Sequence, residues 1–226
     1  MRRDTARSRF LGLLLAAAGG LPTGALAQEP ALDRGLPPLL PRDREISLAR
    51  SAAPPEVSGD ATVLVLERGG YAVAEQGTNG VTCYVSRSRV ISIEPHCFDR
   101  EGTKSILVIH LREAELREQG LGKEAIDARI AREIQEGTLR LPRRPAMSYM
   151  MSSAQELYND AGDPVGAWRP HLMIYYPFLR ASDLGLGEPN SFKAAMVSPD
   201  GGSESSIVII VPEFIDPVFD RASDGA

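Results

Sequence analysis

Gly77-Thr78-Asn79-Gly80-Val81-Thr82-Cys83-Tyr84-Val85-Ser86 is a chain reversal followed by a strand. The two glycines supply the φ freedom of a tight turn, and Val81, Cys83 and Val85 then alternate with Thr82, Tyr84 and Ser86. A period of two puts one set of side chains on a buried face, so Cys83 points inward. Upstream, residues 62–66 and 71–74 read as two more strands joined at Gly69-Gly70. Downstream, past Arg87-Ser88-Arg89, the residues Val90, Ile91 and Ile93 extend the meander by another short strand.

Helical spacing brackets this meander. Ile46, Leu48 and Ala49 mark a short helix over 45–52, ahead of the stop at Pro54-Pro55. Asp99 is placed to cap a helix over 100–119 that ends at Gly120, although the β-branched run 106–109 also suits a strand. Ile126, Ile130 and Ile134 recur every fourth residue beside Ala131, with Lys123/Asp127 and Arg129/Glu133 outside. That pattern predicts an amphipathic helix lying on a sheet and ending at Gly137. Strand character returns over 146–152, 172–176, 194–197 and 207–211, with turns at 160–163 and 199–202. The expected fold is α+β, a mostly antiparallel sheet with two helices packed on one face.

The first residues carry a different signal. Arg2, Arg3, Arg7 and Arg9 precede an apolar run over 10–18, and Ala25-Leu26-Ala27 offers small residues to a peptidase. This predicts a signal peptide over 1–27, cleaved between Ala27 and Gln28. A proline-rich disordered linker over 28–43, a single domain over 44–212 and a flexible tail over 213–226 complete the expected organisation. No later run is apolar enough to span a bilayer, so the mature protein is expected in the periplasm or outside the cell. The formal net charge of −5 becomes more acidic once those arginines leave. An acidic surface repels phosphate backbones, which argues against nucleic acid as a partner.

An oxidising compartment makes a disulfide between Cys83 and Cys97 the default. Among the histidines, His96 stands near Asp99 and the two could act as an acid/base pair. The alternative is a loop histidine and a capping aspartate. His110, amid apolar neighbours, reads as a packed histidine with one hydrogen bond. His171 shares a strand face with Met173 and Tyr175, and Met147, Met150 and Met151 lie on a nearby strand. Imidazole with thioether suits copper or haem iron, whereas methionine also simply fills core gaps. The chain has no G-x-S-x-G elbow, S-x-x-K, H-E-x-x-H, C-x-x-C-H or phosphate loop, and no motif names a metal or cofactor.

The segments Thr78-Asn79-Gly80-Val81-Thr82-Cys83, Pro95-His96-Cys97-Phe98-Asp99 and Pro170-His171-Leu172-Met173-Ile174-Tyr175-Tyr176 resemble a group of secreted bacterial proteins without an assigned activity. The resemblance extends over about residues 44–212 and implies export and a common domain, but no chemistry. The expected function is a non-catalytic periplasmic binding or accessory domain whose partner is a hydrophobic small ligand or another envelope protein. The rival is an enzyme, or a haem or copper carrier, built on His171 with Tyr175 or on His96 with Asp99.

Overall fold

The structure, a computed structural model, describes residues 39–89, 91–159, 161–186 and 195–219. The expected leader with its Ala27–Gln28 cleavage site, most of the 28–43 linker, Val90, Asp160 and the last residues from 220 lie outside them. The described chain begins with α1 (Arg42–Arg50) and the single turn α2 (Pro55–Ser58). It then forms β1 (Thr62–Glu67), β2 (Gly70–Glu75), β3 (Thr82–Ser86) and β4 (Glu94–Phe98). Helices α3 (Arg100–Thr103), α4 (Ile106–Glu118) and α5 (Lys123–Gln135) follow. The chain returns through β5 (Ala146–Met150), the small pair β6 (Leu157–Tyr158) and β7 (Pro164–Gly166), β8 (His171–Tyr175), β9 (Ala195–Ser198) and β10 (Ser206–Ile210).

Eight of the described strands make one sheet in the order β2-β1-β3-β4-β5-β8-β10-β9. All neighbours are antiparallel except β1 and β3, which run parallel through Thr62 and Thr82. The α+β class is as expected, but β3 is buried on both faces rather than one. Val63, Cys83, Val85 and Cys97 pack against Leu48, Ala49 and Ala52 from α1 and the loop after it. Leu64, Tyr84 and Phe98 pack on the other side against Ile106 and Leu107 of α4. The sheet is therefore covered from both faces around β3 and β4.

The expectation of two helices on one face needs correction at α5. Its Ile126 and Ile130 pack with Ile109 and Leu116 of α4 and with Leu139, so it rides on α4. Glu133 is not an outer residue either. It is buried between the helices, where Arg112 donates to it at 3.0 and 2.9 Å and Arg129 at 2.6 Å. Those two guanidiniums hold its carboxyl down to about 2.

The strand expected at 90–93 lies later, at β4, where one reading of the sequence makes His96 a loop histidine. Cys83 and Cys97 face each other with Cα atoms 4.0 Å apart, the short spacing of a non-hydrogen-bonded pair. Pro95 opposite Val85 then owes no N–H to β3, and β5 pairs with β4 only at Cys97 and Phe98. A proline is tolerated where no ladder bond is asked of it. The Val85 carbonyl accepts instead from the Tyr71 hydroxyl at 2.6 Å.

The helix expected over 100–119 breaks between α3 and α4. Asp99 caps α3 as expected, its Oδ1 accepting from the Gly102 N–H at 2.7 Å. Ser105 then leaves helical geometry and turns its hydroxyl onto the Glu101 carbonyl at 2.6 Å. The tail expected from 213 is anchored at its start. Ile215 donates its N–H to the Met151 carbonyl at 2.8 Å and accepts from the Ser153 N–H at 3.0 Å. No helix among the described residues is long and apolar enough to cross a membrane.

Candidate functional site

Alternation along the strands collects one set of side chains on the sheet face that α4 covers. Tyr84 of β3, His96 of β4, Met150 of β5, His171, Met173 and Tyr175 of β8 and Val208 of β10 all share it. Together with α4, the start of α5 and the 199–204 turn they enclose a cleft of about 660 Å³. Tyr84, His96, His171 and Tyr175 form a buried floor, while Arg89, Lys123, Asp127 and Trp168 form an exposed rim. The volume and the mainly apolar floor are those of a small-molecule site.

All three histidines line this cleft, two with the charged form disfavoured and one with it favoured. His96 is 3 % exposed, lies near Phe98 with ring centroids 4.2 Å apart, and has no hydrogen-bond partner for Nε2 among the described residues. Burial, reinforced by His110 and His171 nearby, pushes its pKa well below the usual imidazole range, so it is neutral at pH 7.

His110 is bonded at both nitrogens, not one as the sequence suggested: Nδ1 lies 3.1 Å from the Tyr84 hydroxyl and Nε2 2.9 Å from Glu204 Oε2. Burial opposes its charge, but the hydrogen bond and charge of Glu204 outweigh that and raise its pKa above 6.5. With the folded pKa above the unfolded one, the contribution of this bond to stability is full below 6.5 and is lost as pH rises through the folded value. The ring of His110, followed by NMR, should therefore titrate above 6.5, and lower in Glu204→Gln, where only the more distant charges of Glu113 and Glu94 still oppose burial. An unchanged midpoint would rule out the pair as the cause.

His171 keeps its Nδ1 2.6 Å from the Arg169 carbonyl, and Trp168 stands edge-on to it at a centroid distance of 6.3 Å. Burial lowers its pKa. The Trp168 N–H donates to Glu94 Oε2 at 3.3 Å, which holds the indole at the rim. No family model, no curated protein and no solved structure matches this chain. The chemistry open to the site follows from its own side chains.

His96 and Asp99, the suggested acid/base pair, are not hydrogen-bonded to each other among the described residues. Asp99 is committed to capping α3, and the partners of His96 among the described residues are aromatic rings. His171 and Tyr175 do share a face, but four residues of strand separate them by about 13 Å. The Tyr175 hydroxyl receives the Ser148 hydroxyl at 3.4 Å and donates to Met173 Sδ at 3.8 Å. Burial raises its pKa, so it is a phenol and not a phenolate at neutral pH.

Of the methionines, Met150 and Met173 join His171 on the cleft face, whereas Met147 has the opposite parity on β5. Met196, Glu204 and Trp168 also line the cleft and were not singled out by the sequence. Their placement comes from pairings such as Met196 with Val208, for which local spacing gives no signal. Among the described residues, no three His, Cys, Asp or Glu side chains converge as a metal site.

Proposed function

We propose that this protein is an exported periplasmic domain that binds a small, largely apolar ligand in the cleft over the β8 face, without transforming it. The observation that carries this reading is the cleft itself: about 660 Å³, with a buried floor of aromatic and aliphatic side chains and an exposed rim. Such concavities, with a few convergent polar groups, are the usual form of a ligand pocket. A non-catalytic role is supported by the state of those groups. Asp99 is taken up in capping α3, His171 and Tyr175 stand about 13 Å apart along β8, and both cysteines are bridged, so neither is a nucleophile. Export is supported by the basic and apolar leader with its Ala-x-Ala end, by the disulfide and by the resemblance to secreted proteins.

The chain has one tryptophan, and Trp168 stands at the rim, so its emission reports on the cleft. Titration with 1-anilinonaphthalene-8-sulfonate should show one site, with energy transfer from Trp168 to the dye. Val208→Trp and Met196→Trp, each filling the cleft from a different strand, should weaken the dye by at least about tenfold, or 1.4 kcal/mol. Melting curves of both variants identify any loss due to unfolding. No dye binding by the native protein, or equal binding by folded variants, would contradict the proposal.

A further inference from the structure

At the Trp168 end of the cleft, three soft donors lie side by side. Met150 on β5 is directly opposite His171 on β8. Cβ atoms of such a pair are about 5 Å apart. Met173 follows His171 by two residues on the same face, about 6.7 Å along the strand. Met150 and His171 are 5 % and 6 % exposed, and both line the cleft with Met173.

The imidazole is also oriented. Its Nδ1 proton is given to the Arg169 carbonyl at 2.6 Å, which leaves the lone pair on Nε2. Nε2 has no hydrogen-bond partner among the described residues. A histidine fixed through one nitrogen by a backbone carbonyl, with the other free, is how proteins prepare an imidazole for a metal. Trp168 covers the ring edge-on, held in turn by Glu94.

We propose that His171, Met150 and Met173 form a site for a soft monovalent cation, Cu(I), for which Ag(I) is a redox-inert analogue. Two thioethers and one imidazole make a soft, uncharged donor set, which favours Cu(I) over the hard cations that take oxygen ligands. Zinc sites add thiolate, carboxylate or further imidazole, and both cysteines here are bridged. The weak contact from the Tyr175 hydroxyl to Met173 Sδ occupies one of that sulfur's two lone pairs and leaves the other for the ion. The site goes beyond the apolar ligand reading and does not depend on it, because it needs only these three side chains.

The test uses the full chain, labelled with 13C at the methionine methyls and titrated anaerobically with Cu(I) against bicinchoninate, then with Ag(I). One equivalent should bind and shift the methyls of Met150 and Met173 but not that of Met147. Met→Leu changes conserve volume, so Met150→Leu/Met173→Leu should keep its melting temperature. It should lose about a hundredfold or more in Cu(I) affinity, since even outer partners of a metal ligand are worth up to that much. Zn(II) should not compete. Affinity unchanged in the double variant, or Met150 and Met173 methyls that stay in place, would overturn the proposal.

Discussion

Arg87→Met is expected to cost about 3–5 kcal/mol of folding stability, because it strands a buried carboxylate. Glu45 on α1 is fully buried and meets Arg87, just beyond β3, at 3.4 Å. Glu45 Oε1 also accepts from the Leu66 N–H at 3.1 Å, while Arg87 donates to the Val85 carbonyl at 3.2 Å. Oε2 of Glu45 and Nε of Arg87 have no hydrogen-bond partner among the described residues, so the pair is incompletely satisfied there. Burial raises the Glu45 pKa even though Arg87 pulls it down. A raised carboxyl pKa gives stability that is full below 4.5 and falls as pH rises through the folded value.

Removing Arg87 steepens that fall. The melting temperature should drop by about 10 °C or more at pH 7.5 and by less at pH 4.5. Glu45→Gln/Arg87→Met should recover most of the loss, since a buried ion pair replaced as a unit is often neutral. A single variant as stable as the native protein, or a loss independent of pH, would show that the pair does not hold α1 to the sheet.

Cys83→Ala/Cys97→Ala comes next in size. The bridge spans a sequence separation of 14 and joins directly opposed residues of β3 and β4. In the chain-entropy picture a loop of that length contributes about 3 kcal/mol. For a domain of this size that is a fall of about 6–12 °C in melting temperature. Both cysteines have no exposed surface, so a reductant acts only after opening. Hydrogen exchange should quicken first at Tyr84 and His96, which flank the bridge, and later in β8 and β10. If oxidised and reduced protein melt alike, the bridge contributes nothing to stability.

The alternating segments carry their own assignment. Thr62, Tyr71, Cys83, Ser148, Met173 and Val208 all lie in strands where period and turn residues point the same way, and Asp99 caps the helix it precedes. The missed strand, β4, contains Pro95, a residue that argues against a strand unless the two neighbours on either side ask nothing of its nitrogen. That condition is set by the partner strands and not by the local sequence. The same holds for α5, whose apolar face fits α4 as well as it fits a sheet.

The site was half legible. Period two predicts the shared face of His171, Met173 and Tyr175, and β8 has it. Nothing local connects His110 to Glu204, which lie 94 residues apart and meet only when the 199–204 turn folds over α4. His96 and Asp99 are close in the chain yet serve different ends, because the strand that holds His96 stops where Asp99 begins to cap.

The central claim is that the sheet face bearing His96 and His171, with His110 of α4 above it, is a binding cleft, and methionine lies on both faces of the sheet to test it. In 13C-methyl methionine spectra recorded with one equivalent of anilinonaphthalene sulfonate, Met150, Met173 and Met196 should shift while Met147 stays in place. A shift at Met147 as large as theirs, or none at any of the three, would contradict the account.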